Sequence, residues 1–217
     1  TVMAYPLEGS APGMAAPAPS WRAAPPPSVP TAARPAFGVE RHTLTLFGNR
    51  IYARLGPFGA EFQGRNIASA PSTAIVALDR SRSDSPLWLK TADDVIAGPG
   101  QINGGPLVGQ VAFGGAPVVD EHGVYVALLK PGTQALTWVA CLDPESGQTR
   151  WVRFVCSGTS LSLNRVPGAR NRGLFINPEL GHRLLSLGGS TIYYQTDLGA
   201  LASLDTRSGR LNWLVTY

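Results

Sequence analysis

The sequence predicts an all-β protein of about three four-stranded antiparallel units, preceded by an N-terminal arm rich in proline and alanine. Glycine (25) and proline (19) make up about a fifth of the 217 residues, which is typical of a chain with many turns. Charged residues account for only 15%, so few segments have the composition of a solvated helix. Short apolar runs alternate with turn residues, and tryptophans recur in them at a regular interval.

Composition also excludes several functional classes. The net charge of +4 comes mostly from scattered arginines without a basic cluster, so no nucleic-acid partner is predicted. The two cysteines, Cys141 and Cys156, form neither a disulfide framework nor a zinc-ligand set. Because no apolar run reaches about eighteen residues, the sequence predicts no transmembrane segment.

The predicted arm covers residues 1–38, and the predicted β-domain covers 39–217. Proline, alanine, glycine and serine dominate the arm, and such a segment cannot bury enough apolar surface to order itself. We therefore expect a mostly irregular linker. An alternative is that Trp21 latches the arm onto a neighbouring domain.

The first unit covers residues 43–90. Its first two apolar runs flank Gly48-Asn49-Arg50, which is a hairpin signal. Glycines and prolines break any regular element in the loop at 56–72. Strands are predicted at 43–47, 51–55, 73–78 and 87–90.

The second and third units cover residues 116–156 and 184–217. The glycine-rich segment 91–115 before the second unit is predicted to be a long loop without a helix, and 157–183 is a similar connection before the third. Strands are predicted at 116–120, 124–129, 136–142 and 149–156 in the second unit, and at 184–187, 191–194, 200–204 and 211–217 in the third.

The three units repeat one another in register. In each unit a branched residue precedes a tyrosine, a later strand ends in Leu-Asp, and a tryptophan follows the next turn. The tryptophans are 63 and then 62 residues apart, so the units form an internal repeat. The repeated residues are Tyr52, Tyr125 and Tyr193; Asp79, Asp143 and Asp205; Trp88, Trp151 and Trp213; and the turn glycines Gly147 and Gly209.

These residue types predict a structural role in building and docking the units. The aspartate can accept backbone N–H bonds within its turn, and the glycine adopts positive φ at low cost. The tryptophan covers a large area of the adjoining sheet, and its indole N–H needs an acceptor. The first unit has no turn glycine and one extra residue, so its turn should be looser.

A four-stranded sheet cannot bury both faces alone, so the units must stack as the blades of a partial β-propeller. Propellers close with four to eight blades. We therefore expect the remaining propeller blades to come from segments outside this sequence.

The repeat resembles that of the pyrroloquinoline-quinone (PQQ) enzyme-like β-propellers. Residues 189–213 carry the pattern Gly-x-x-Ile-Tyr, followed by Gly-x-Leu-x-x-Leu-Asp-x-x-x-Gly-x-x-x-Trp, and the likeness extends over about 43–217. The family includes PQQ-dependent dehydrogenases and non-catalytic relatives, among them the lipoprotein scaffold of the outer-membrane β-barrel assembly machinery. The resemblance favours the scaffold-like branch and implies an extracytoplasmic location, in the periplasm or cell envelope.

The dehydrogenase branch carries a vicinal Cys-Cys disulfide and calcium ligands, and this sequence has no adjacent cysteines. The turn near Ser146 should place Cys156 opposite Thr137, which is four residues or about 13 Å from Cys141 along a strand. A disulfide needs Cα atoms within about 7 Å, so both thiols are predicted to be buried and free. No catalytic, cofactor-binding or metal-binding residue is predicted.

The favoured function is an interaction scaffold that binds a protein or other macromolecular partner through the loops at 56–72, 91–115 and 157–183. Those loops are expected to recur at similar positions in the blades. The alternative is part of a PQQ-dependent oxidoreductase whose cofactor residues lie in other blades, and only there would PQQ and calcium be required. A third hypothesis is polysaccharide binding through Phe58, Phe62 and Phe113.

Overall fold

The computed structural model describes ten stretches of the chain. They are residues 2–4, 21–23, 44–56, 73–81, 85–97, 107, 110–130, 134–158, 184–196 and 198–217. In the arm, strand β1 (Val2–Ala4) pairs antiparallel with β2 (Trp21–Ala23). The rest of the predicted irregular arm lies outside the described residues.

The first sheet contains four antiparallel strands that lie side by side in chain order. Ala53 pairs with Leu44 on one side and with Val76 on the other, which sets the register. Gly48, at φ 56°, makes the tight turn between the first two strands. The strands are β3 (Leu44–Phe47), β4 (Arg50–Leu55), β5 (Ala74–Asp79) and β6 (Trp88–Thr91).

The second sheet has a divided edge strand. Two short segments, β7 (Ala112–Phe113) and β8 (Val118–Val119), both pair with β9 (Val124–Lys130). Pro117 lies between them and has no N–H to donate to a ladder, which accounts for part of the interruption. The sheet continues through β10 (Ala135–Leu142) to β11 (Thr149–Gly158).

The third sheet is again four strands in chain order. Tyr193 pairs with Ser186 and Ser203, and Ser203 pairs in turn with Trp213. The strands are β12 (Leu184–Gly188), β13 (Thr191–Gln195), β14 (Ala200–Asp205) and β15 (Leu211–Thr216). Three stacked antiparallel sheets make the described part of the chain a partial β-propeller, as the repeat predicts.

Successive side chains of a strand point to opposite faces of its sheet, so the buried apolar side chains lie in the spaces between neighbouring sheets. Tyr52 and Ile75 of the first sheet pack with Val126 and Leu142 of the second in one buried cluster. The opposite face of the second sheet packs against the third in another cluster, which contains Tyr125, Val139, Ile192 and Leu204. The middle sheet is therefore buried on both faces.

The segment predicted as a loop without a helix begins with helix α1 (Ala92–Ile96), so that prediction is wrong. Thr91 and Asp94 form a capping box: the Asp94 N–H donates to Thr91 Oγ1 at 3.2 Å, and the Thr91 N–H donates to Asp94 Oδ2 at 2.8 Å. Val95 and Ile96 are buried in the core between the first two sheets. The burial of these side chains stabilises a helix too short to form alone.

Strand β7 also lies in this predicted loop, and side chains of the first sheet hold it in place. The Phe113 N–H donates to Thr73 Oγ1 at 2.7 Å, and Arg54 Nε donates to the Phe113 carbonyl at 2.8 Å. Arg54 and Thr73 are both buried. The two side chains thus bind the edge of one sheet to its neighbour.

The antiparallel topology places the long connections after β4, α1 and β11 at one end of the three sheets. The turns after β3, β8, β10, β12 and β14, and the connection after β5, all lie at the opposite end, which we call the turn end. The connection 57–72 joins the second and third strands of its sheet, whereas those after α1 and β11 join successive sheets. The expected recurrence at similar blade positions is therefore wrong, although all three leave from the same end, the loop end.

The strand register of the two cysteines is the predicted one. Thr137 pairs with Cys156, and Cys141 pairs instead with Trp151. Neither cysteine forms a disulfide. Cys141 is buried, which raises its pKa to about 12, whereas Cys156 is only half-buried, so the prediction that both thiols are buried is wrong for Cys156. No helix in the described part of the chain is long and apolar enough to cross a membrane.

We predict that Thr73→Val destabilises the protein by about 1–3 kcal/mol, because the buried Phe113 N–H would lose its acceptor. Thr149→Val is the matched control: its hydroxyl is half-buried and makes a longer bond, 3.3 Å, to the Val95 carbonyl. Urea unfolding of both variants measures the difference. Equal losses of stability would contradict the role assigned to Thr73.

Candidate functional site: the sheet-docking positions

Two of the repeated aspartates accept backbone N–H bonds within their turns. Asp143 Oδ1 accepts the N–H groups of Glu145 and Ser146, both at 2.9 Å. In the third sheet, Asp205 Oδ1 accepts the Ser208 N–H at 2.8 Å. These carboxylates are engaged in holding backbone geometry.

The first sheet has a different turn. Asp79 Oδ1 accepts the Ser81 N–H at 2.7 Å and the Asn49 side chain at 2.8 Å. Asn49 belongs to the hairpin between β3 and β4, so it links two turns at the turn end. Residues 82–84 lie outside the described part, and the looser turn stays a prediction.

The turn glycines meet two requirements at once. Gly147 has φ 68° and Gly209 has φ 65°, a region that other residues enter at a cost. A Cβ atom on Gly147 would lie 2.7 Å from the Trp88 ring, and one on Gly209 would lie 2.6 Å from the Trp151 ring. Each tryptophan therefore packs flat on the glycine turn of the next sheet.

Indole hydrogen bonds complete this contact. Trp88 Nε1 donates to the Pro144 carbonyl at 2.9 Å, and Trp151 Nε1 donates to the Thr206 carbonyl at 3.2 Å. Both acceptors are the residue that directly follows the turn aspartate. The tryptophan and the next turn thus form one docking unit, which we call a docking pair.

A tyrosine of the same sheet supports each tryptophan. Ring centroids are 6.0 Å apart for Tyr52 and Trp88, and 6.1 Å apart for Tyr125 and Trp151. Both tyrosines are fully buried. Burial raises the pKa of Tyr125, which keeps its hydroxyl neutral and able to donate to Asp120 Oδ1 at 3.1 Å.

Arginines not predicted from the repeat reinforce the docking pairs. Arg50 donates to the Pro144 carbonyl at 2.9 Å and forms an ion pair with Glu145 at 2.5 Å. This bond to Glu145 raises the pKa of Arg50. Arg153 Nε donates to the Gly209 carbonyl at 2.9 Å. Each arginine occurs in one unit only, so comparing the units could not reveal it. Arg50 is two residues before Tyr52 and Arg153 is two residues after Trp151, so strand alternation places each arginine on the same face as that aromatic side chain. This spacing is the signal that could have identified them.

The Asp143 carboxylate has a second partner, Arg150, at 2.6 Å. Burial alone would raise the pKa of Asp143, but the bonds from Ser146, Arg150 and Glu145 outweigh it and lower the pKa to about 2. Arg150 also donates to the His122 carbonyl. This network joins two neighbouring turns of the second sheet at the turn end.

All of the predicted docking residues except Asp79, Tyr193 and Trp213 take part in contacts between described sheets or in the turns that make them. The chemistry of these positions is structural: the aspartates hold turns and the aromatic residues fill the interfaces. Among the described residues, no group of three or more His, Cys, Asp or Glu side chains is arranged to hold a metal ion. Phe113 is buried, while Phe58 and Phe62 lie outside the described part.

No family model and no curated protein matches the chain in sequence. The chain aligns with the solved structure of BamB from Moraxella catarrhalis at 14% identity and a TM-score of 0.41, over 78% of this chain and 34% of that one. It also aligns with a europium-containing methanol dehydrogenase (15% identity, TM-score 0.46, 80% of this chain, 31% of that one). A third alignment is with quinohemoprotein alcohol dehydrogenase from Comamonas testosteroni (16%, 0.46, 80% and 26%). The chain spans about a third or less of these proteins.

We predict that Gly209→Ala destabilises the protein more than Gly189→Ala does. The two glycines have similar φ angles, 65° and 60°, but nothing lies within 4 Å of a Cβ atom on Gly189. Backbone strain alone should cost about 1–2 kcal/mol at either site. The clash with Trp151 should add about 1–3 kcal/mol at Gly209. Denaturant midpoints measure the difference, and equal midpoints would refute the close-approach requirement.

Trp88→Ala is expected to cost about 3–5 kcal/mol, because it removes a core side chain that is only 7% exposed. Trp213→Ala, at a side chain that is 42% exposed, should cost less than about 1 kcal/mol. Thermal and urea unfolding of the two variants provide the comparison. Equal losses at Trp88 and Trp213 would show that the repeat position itself, and not the docking partner, sets the contribution to stability.

The lowered pKa of Asp143 predicts a loss of stability in acid. Its ionised form is favoured in the folded state, so its contribution is complete above about pH 4 and is lost as the pH falls towards about 2. Asp143→Asn keeps an oxygen acceptor but lacks the charge. The stability gap between wild type and variant should therefore close over this interval in urea titrations. A gap that stays constant down to pH 2 would contradict the assignment.

Proposed function

We propose that the chain is part of a non-catalytic β-propeller scaffold that binds a protein partner at the loop end of its sheets. The observation that carries the proposal is the separation of the two ends. The turn end contains the docking pairs, whereas the long connections after β4, α1 and β11 start and finish at the loop end. Binding residues are commonly found on loops held by a rigid framework.

The framework is suited to that role because the sheets are joined at several points. The docking pairs of Trp88 and Trp151 hold the turn end together. Near the loop end, Arg54 and Thr73 bind the strand at Phe113. Because the sheets are joined in this way, the strand ends from which the long connections leave are held at fixed positions relative to one another.

Polar groups at the turn end are already in use. Asp143 and Asp205 accept backbone N–H groups, Asp143 also pairs with Arg150, and Arg50 pairs with Glu145. A partner at this end would have to compete with those bonds. The loop end is therefore the favoured binding surface. The proposal further includes the remaining propeller blades and an extracytoplasmic location, both of which the repeat's resemblance implies.

Site-specific photo-cross-linking in the native cell tests the proposal. A benzophenone amino acid is placed in the full protein at Phe58, Asn103 or Asn164 of the loop-end connections, and at Glu145 or Arg207 of the turn end as matched controls. The expected result is a discrete protein adduct from loop-end positions only. Adducts from the turn end alone, or from none of the five positions, would overturn the proposal.

A second measurement separates the scaffold from an oxidoreductase. PQQ and Ca²⁺ are added to the full protein, and reduction of an electron-accepting dye by alcohols is followed. The scaffold proposal predicts no dye reduction above a protein-free control. Quinone-dependent turnover would overturn the non-catalytic part of the proposal.

A further inference from the structure

The junction between the first and second sheets (the first junction) and that between the second and third (the second junction) are built differently. Helix α1 lies in the first junction, where Val95 and Ile96 are buried between the two sheets. Thr149 Oγ1 of the second sheet donates to the Val95 carbonyl at 3.3 Å, and the helix directly follows the last strand of the first sheet. Among the described residues, the core of the second junction is built from strand side chains alone. The first two sheets are therefore joined by a packed connecting segment as well as by their faces.

Buried polar groups at the loop end also favour the first junction. Arg54 Nε and Thr73 Oγ1 both bind the backbone of Phe113, at 2.8 and 2.7 Å, and both side chains are buried. In the second junction the buried hydroxyl of Thr137 lies 2.7 Å from that of Tyr194, and the two form a hydrogen bond. This bond joins two neutral side chains, whereas the Arg54 guanidinium is charged, and charged donors make the stronger hydrogen bonds.

The docking pairs at the turn end differ in the same direction. The indole hydrogen bond is 2.9 Å long at Trp88 and 3.2 Å long at Trp151. Trp88 is buried, whereas Trp151 is only half-buried. Arg50 adds an ion pair with Glu145 across the first junction, while Arg153 of the second junction donates to a backbone carbonyl. Each difference is small, but all of them make the second junction the weaker one.

We propose that the second junction opens first, so that the third sheet detaches and unfolds while the first two sheets stay folded together. Proteins open locally at the unit with the weakest contacts, at a lower free energy than global unfolding. One hydrogen bond changes an opening equilibrium by about two- to tenfold. The additional bonds and helix α1 of the first junction thus allow the second junction to open at least about tenfold more often. This conformational property is independent of any partner at the loop end.

Two valines of the second sheet provide matched probes of the two junctions. Val126 faces the first junction and Val139 faces the second, and both are fully buried. They lie on neighbouring strands, because Val139 pairs with Ala127, the residue after Val126. Val126→Cys and Val139→Cys are made separately in a background that carries Cys141→Ala and Cys156→Ala. Alkylation by N-ethylmaleimide under native conditions is then followed by mass spectrometry.

The thiol introduced by Val139→Cys is expected to react at least about tenfold faster than the one introduced by Val126→Cys. Each rate is first divided by the rate measured in the urea-unfolded variant, which removes differences in intrinsic reactivity. Equal rates would show that the junctions open only together, in global unfolding, and would overturn the inference. A faster reaction at Val126→Cys would overturn it as well.

Amide hydrogen exchange of the unsubstituted protein tests the same inference without a cysteine variant. Strands β5 and β14 hold the same place in the first and third sheets. The slowest amides of β14 are expected to exchange at least about tenfold faster than the slowest amides of β5, because the third sheet unfolds on its own. Equal protection of the two strands would contradict the order of opening.

Thr73→Val separates stepwise opening from global unfolding. It weakens the first junction, so alkylation at Val126→Cys should become about five- to 150-fold faster while the rate at Val139→Cys stays unchanged. Tyr194→Phe weakens the second junction, which opens before either thiol is exposed, so both rates should rise by the same factor. Equal acceleration of both thiols by Thr73→Val would refute the inference. None of these measurements involves a loop-end partner, so this proposal and the proposed function can fail separately.

Discussion

The structure depends on one contact, the packing of a tryptophan ring onto the glycine turn of the next sheet. The turn needs glycine for its positive φ and again for the close approach, and the carbonyl of the residue three positions before that glycine accepts the indole N–H. A single four-stranded sheet leaves one apolar face in water. This contact is what orders one sheet against the next, and its repetition through Trp88 and Trp151 yields an arc of three.

The tryptophan–glycine contacts all lie at the turn end, so the two ends of the sheets have different roles. The turn end is filled with bonds that belong to the fold, including the network of Asp143 and Arg150. The loop end has the connections that differ in length and sequence from unit to unit. Variation at the loop end leaves the docking pairs unchanged, which is why a repeat of this kind can serve as a framework for diverse binding surfaces.

Sequence reasoning was successful where a residue has the same role in every unit. The positions of Asp143, Gly147 and Trp151 within their unit, and the pairing of Thr137 with Cys156, all follow from spacing alone. It failed at α1, because five residues with two prolines and many glycines nearby have little intrinsic helical stability. That helix exists because Val95 and Ile96 are buried between two sheets, a contact that no local pattern contains.

The sequence by itself determined the repeat, the strand order within each unit and the chemistry of each turn, since these depend on neighbours close along the chain. Only the tertiary structure decided which tryptophan has a partner. Trp88, Trp151 and Trp213 occupy the same place in their units, yet the first two are covered and Trp213 is 42% exposed. The physical reason is that each docking site is completed by the glycine turn of a neighbouring sheet, a contact between residues far apart along the chain that no local pattern contains.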